Sequence, residues 1–248
     1  MAAEETNDAA AKRQQQETCQ RRLAAVLDRP RIRALYEAIY RNRAPDAVAS
    51  PTGELFAFVC TQCDFKRRAF FAATDAVGAA AQGAAPAMPA PRSVDADAPA
   101  GVDGEAGPPP HVVAVCANRL AAQDYEHIIV HELTHVYDNF SHSGRRLNLR
   151  DCEDLACSEI RAAREGECFA SRPAADGGEG SFLDRFVDRR RRCTRYRAKL
   201  ATRAFFPDEG GACVDEVFDR CYRDREPSSA FGGGGGQQAS GGREDDKR

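Results

Sequence analysis

Between residues 18 and 43 the apolar positions Leu23, Val26, Leu27, Leu35 and Ile39 recur at helical spacings, the mark of helices that bury one face. Pro30 interrupts this run, and because proline disfavours helical geometry in the residue before it, two helices are expected. The pattern then changes. GELFAFVC (53–60), RRAFFAA (67–73) and HVVAVC (111–116) are short runs rich in aromatic and β-branched residues and predict three strands, the first two joined by a turn across 61–66. From about Leu120 the helical period returns, predicting helices over 120–140, 151–165, 181–206 and, more briefly, 212–223. A small sheet followed by helices implies an α+β fold in two layers.

Not all of the chain can join that core. Ala, Gly and Pro dominate 76–110 and Gly dominates the tail from 231, compositions that bury too little apolar surface to order a chain. The expected organisation is a disordered N-terminus over 1–17, one domain over 18–227 carrying a disordered insertion at 76–110, and a disordered tail over 228–248. No run of 18 apolar residues exists, so no membrane span is expected. A net charge of −3 gives no general attraction to nucleic acid, which is not expected as a partner.

Ten cysteines in 248 residues suggest an oxidising compartment, yet the opening MAAEETNDAAAKRQQQETCQRR reads as neither a secretory signal nor an acid-poor transit peptide. The mitochondrial intermembrane space reconciles the two. Cys60 and Cys63 form one CxxC with no second beside it, which favours disulfides over a structural zinc site. In SFLDRFVDRRRRCTRYRAKL, Arg189 to Arg192 next to Phe182, Phe186 and Val187 suit either a solvated helix face or contact with anionic lipid.

Chemistry concentrates in HIIVHELTHVYD, residues 127–138. At about 100° per residue His131 and His135 fall about 40° apart on one helix face, able to chelate one Zn²⁺ together. Glu132 sits at the edge of that face, placed to act on water as a base without being a ligand. Ile129, Leu133, Val136 and Phe140 form an apolar stripe behind it. The alternative is a core helix with two hydrogen-bonded histidines, a costly arrangement for polar groups with no metal. Asp138 lies one turn past His135 and is either the carboxylate that orients it or an ordinary helix-end acid; His127 reads as a neighbour.

A catalytic zinc needs a third protein ligand. On the helix containing LACSEIRAA, Glu159 stands among small residues that let another helix approach, and it is the candidate third ligand; the alternatives are a salt bridge to an arginine such as Arg161 or Arg164, or another acid as the ligand. Zinc-assisted amide hydrolysis with Glu132 as base would follow, with Tyr125 and Tyr137 as oxyanion candidates by residue type only.

Taken in order, CANRLAAQDYEHIIVHELTHVYD, LACSEIRAAREGEC, CTRYRAKL and VDEVFDRCYRDREP, with FVCTQC more loosely, resemble the mitochondrial inner-membrane zinc peptidases that process and assemble the proton-channel subunit of ATP synthase. The resemblance covers about two thirds of the chain. It implies a zincin-like fold with the small sheet packed on the HExxH helix, zinc held by His131 and His135, and Glu132 in catalysis. It also implies an intermembrane-space location peripheral to the inner membrane, a protein substrate in the precursor of that ATP synthase subunit, and a role in assembly. The alternative is a non-catalytic assembly or binding module with a structural zinc. Two departures stand out: NFSHSGRRLNLRDCED after Asp138, where the family has a segment with histidine and tryptophan, and the insertion at 76–110, where it has a short hairpin.

Overall fold

The computed structural model describes residues 2–43, 55–63, 68–73, 111–121, 124–140, 148–169, 182–227 and 229. The insertion at 76–110 and nearly all of the Gly-rich tail lie outside them, as do the side chains of Phe182, Phe186 and Val187.

Helix α1 runs from Ala2 to Leu27 and α2 from Pro30 to Arg41. The break falls where the proline requires it, with Arg29 extended at ψ 138° and Pro30 in the first turn of α2. The start of α1 differs from the disordered N-terminus expected over 1–17. Its first half carries no apolar stripe, but AAEETNDAAAKRQQQ is rich in Ala, Gln and Glu and lacks Gly and Pro, so helix propensity acts where periodicity gives no signal. In α2, Ile32, Leu35, Ala38 and Ile39 form the buried face.

Strands β1 (Ala57–Thr61), β2 (Ala69–Ala73) and β3 (His111–Cys116) form one sheet in the order β1-β3-β2. The first two strands are not neighbours, as a turn between them would suggest. β3 lies between them, parallel to β1 and antiparallel to β2, with Val113 opposite both Phe58 and Phe71. HVVAVC is buried from Val112 onward, as expected of a strand covered on both faces, and the most continuously apolar strand takes the centre. Among the described strands β1 and β2 form the two edges.

Four further helices follow: α3 (Tyr125–Phe140), α4 (Cys152–Glu165), α5 (Phe182–Arg203) and α6 (Gly210–Arg223). Ile129, Leu133, Val136 and Phe140, the stripe read from the sequence, are all buried and join α1, α2 and the sheet in the main core. A second core lies between α4, α5 and α6, from Ala156, Ile160, Ala198, Val214, Val217 and Phe218. Asp151 caps α4, its side chain accepting from the backbone N–H groups of Glu153 and Asp154 at 2.9 and 3.0 Å.

All ten cysteines are paired. Cys19–Cys60 ties α1 to β1, and Cys63–Cys116 joins the chain just past β1 to the end of β3. Cys152–Cys213 and Cys157–Cys221 bind α4 to α6, while Cys168–Cys193 binds the chain after α4 to α5. Each such closure typically contributes about 2–4 kcal/mol, enough to matter where the buried apolar surface is split among separate clusters.

Candidate metal centre

His131 and His135 project from one face of α3 with their Nε2 atoms 3.1 Å apart and their rings crossing at 78°. Glu159 on α4 faces both, with Oε2 3.6 Å from His131 Nε2 and Oε1 3.7 Å from His135 Nε2. A tetrahedral zinc with bonds of about 2.0–2.2 Å spaces its ligands about 3.3–3.6 Å apart; one ligand atom from each of the three side chains lies within 4.8 Å of the others, close enough to gather around one ion. The arginines that were its salt-bridge alternatives have partners of their own. Arg161 pairs with Asp138 and Asp224, and Arg164 pairs with Glu165 and donates to the carbonyls of Tyr222 and Glu226.

The convergence depends on how closely α4 and the chain after it approach α3. Ala156, Ala162 and Ala163 are fully buried small residues on α4. At Gly166, just past the helix end, a Cβ would meet His127 O at 2.8 Å and His131 Cβ at 2.9 Å. Only glycine allows the chain to cross there. The next residue, Glu167, thereby reaches His131.

Both imidazoles are anchored through the nitrogen turned away from the cluster. His131 Nδ1 lies 2.8 Å from Glu167 Oε2, and His135 Nδ1 lies 2.8 Å from Ser158 Oγ. Ser158 in turn donates to Asp138 Oδ2 at 2.6 Å, and Arg161 Nε donates to Asp138 Oδ1 at 3.1 Å. Asp138 therefore reaches His135 through a serine instead of directly. With Nδ1 engaged as donor in each ring, both Nε2 atoms are directed at the shared centre. Glu167 and Ser158 were not singled out in the sequence. The usable signal was the need of a metal-bound histidine for an acceptor behind it, which makes any carboxylate or hydroxyl near Glu159 a candidate.

The charges are strongly coupled. Burial works against a charge on His131, but the adjacent Glu167 carboxylate and its hydrogen bond, with Glu132 and Glu159 close by, outweigh it and push its pKa up to about 10. Burial likewise acts to raise Glu167, yet His131 and Arg68 hold it down to about 2. Burial raises Asp138, with Arg161 and Ser158 opposing.

The cluster opens onto a cleft of about 750 Å³. Glu132 lines it, as do Phe70 and Phe71 of β2, Ile128 of α3, Leu200 in the last turn of α5 and Phe205 just past it. Tyr125 and Tyr137 are not among the lining residues; the Tyr137 hydroxyl donates to Glu226 Oε2 at 2.6 Å. His127 is not part of the donor cluster found among the described residues.

A helix presenting His-Glu-x-x-His beneath a cleft, with a glutamate from a following helix as third donor, defines the HExxH class of metallopeptidase site. The Peptidase M76 family matches residues 93–229, more than half of the chain, and the chain belongs to that family. It is similar to proteins named mitochondrial inner membrane protease ATP23. The relative from Lodderomyces elongisporus is 33% identical over 125 residues, 48% of this chain and 49% of its own. That from Pyricularia oryzae is 31% identical over 132 residues, 50% and 47% of the two chains. A homolog from Xenopus laevis is 33% identical over 121 residues, 46% and 48%. The chain spans about half the length of the curated relatives it matches. No solved structure matches it.

Proposed function

We propose that this protein is a zinc-dependent endopeptidase. The observation that carries the reading is the donor set His131, His135 and Glu159, with atoms 3.1–3.7 Å apart, in a cleft shared with Glu132. Two imidazoles and a carboxylate gathered in one cluster suit zinc, and a bound zinc would supply the Lewis acidity that activates water near neutral pH and polarises a scissile carbonyl. Glu132 takes the proton from the attacking water and returns it to the leaving amine. Glu167 holds the ring of His131, and Ser158, backed by Asp138, holds that of His135. Strand β2, at an edge of the sheet among the described strands, lines the cleft and would offer its main chain to an extended peptide there.

A structural zinc site is closed by four protein ligands. Here the cluster found among the described residues has three and faces an open cleft, which favours catalysis over a non-catalytic assembly module.

The proposal extends, by the sequence resemblance and the names of the relatives, to the intermembrane space, peripheral to the inner membrane, with the precursor of the ATP synthase membrane subunit as substrate and a part in assembly. Five disulfides suit an oxidising compartment. Among the described residues no helix is long and apolar enough to cross a membrane.

The test is Glu132→Gln in the full chain. Zinc content by mass spectrometry should stay at the wild-type value while peptide cleavage falls by about 10²–10⁴, the usual worth of a general base. Cleavage at the wild-type rate would sink the mechanism.

A further inference from the structure

The basic residues of α5 are not equivalent. Those facing α6 are matched by its acids: Arg191 with Asp219, Arg195 with Asp215 at 3.2 Å, and Lys199 with Asp215. Arg190, on the side toward α4, donates to the backbone carbonyl of Arg164 at 2.9 Å. Arg197 belongs to neither group. It lies on the same face as Leu200, Ala201 and Ala204, at helical spacings of three, four and seven, and all four line the metal cleft. Its side chain is exposed, and it has no ion-pair partner among the described residues.

The other charges of the cleft are engaged with one another. Arg68 faces Glu167 at 3.4 Å and Asp124 at 3.7 Å, Glu167 holds His131, and Glu159 faces the two histidines. Glu132 is the base in the reading above. Arg197 is thus left as a cation presented to the cleft beside the apolar surface of Phe70, Phe71 and Leu200. A guanidinium beside apolar walls selects a carboxylate by paired N–H···O contacts that a lysine or an amide cannot reproduce.

We propose that Arg197 is a specificity-determining residue that binds a carboxylate of the peptide substrate, so that the cleft takes an apolar segment carrying one acidic group. This rests on the peptidase reading. The carboxylate belongs to a glutamate or aspartate side chain or to the C-terminus of the peptide, and the two sources are separable.

The probe is a set of fluorescein-labelled apolar octapeptides with one Glu walked through every position, each matched to its Gln counterpart and each made with a free or an amidated C-terminus. Binding is measured by anisotropy on zinc-loaded Glu132→Gln protein, and cleavage on the wild type. Because Arg197 is exposed, the carboxylate should improve binding by about three- to tenfold in one register. Arg197→Gln should bring that ratio close to one, Arg197→Lys should keep part of it, and Arg197→Glu should turn the preference toward a Lys peptide. Preference for Glu over Gln assigns the side-chain source; preference only for the free C-terminus assigns the terminal one. No preference in any register, or one that persists in Arg197→Gln, overturns the inference. Cleavage of the Gln peptides without preference removes Arg197 alone, whereas Arg197-dependent binding without any cleavage removes the peptidase reading and leaves the carboxylate site standing.

Discussion

Glu167 Oε2 lies 2.8 Å from His131 Nδ1, on the side of the ring away from Glu159. This one contact orients the ring and loads it with a proton when no metal is bound.

In the metal-free protein the pair has a defined pH window. His131 is raised from 6.5 to about 10, so its contribution to stability is complete below pH 6.5 and is lost as pH rises through about 10. Glu167 is lowered from 4.5 to about 2, so its contribution is complete above pH 4.5 and is lost as pH falls through about 2. Both are present in full between pH 4.5 and 6.5. A zinc ion held by His131 would displace its proton, so binding at pH 7.5 should release about one proton, measured by calorimetry in buffers of different ionisation enthalpy. Glu167→Gln should release less than the wild type. An unchanged proton count in that variant would remove Glu167 as the partner that charges His131.

Replacing Glu159 by Gln should weaken zinc binding well beyond the 10–100-fold typical of groups that only orient a ligand. Asp138→Asn should fall within about that 10–100-fold range, since it acts through Ser158. It should also destabilise the fold toward the lower end of about 3–5 kcal/mol, because Asp224 still faces Arg161. Zinc content after dialysis against a mild chelator, with thermal unfolding alongside, separates the two. Full zinc retention in Glu159→Gln would exclude that carboxylate as a ligand.

Gly166→Ala should cost about 1–3 kcal/mol, because its new methyl group meets the backbone of α3 and the Cβ of His131, neither of which can yield cheaply. Zinc affinity should fall with stability, since relief of the clash moves His131 away from Glu159. A variant with wild-type melting temperature and zinc affinity would show that the close crossing is not needed to assemble the site.

What the chain determines alone is whatever depends on neighbours a few residues apart. His131 and His135 share a face because four residues make little more than one turn, and Leu133 and Val136 turn away from it for the same reason. Pro30 separates α1 from α2 and Asp151 starts α4 by equally local means. Glu159 was legible only as a carboxylate among small residues, and its place opposite the histidines follows from the packing of α4 on α3. The tertiary structure alone decided that β3 sits between β1 and β2, that Cys60 pairs with Cys19 while Cys63 pairs with Cys116, and that Ser158 intervenes between His135 and Asp138. These contacts join residues 20 to 60 positions apart. No periodicity encodes them, because they depend on which faces are buried together and on how closely Gly166 lets two segments cross.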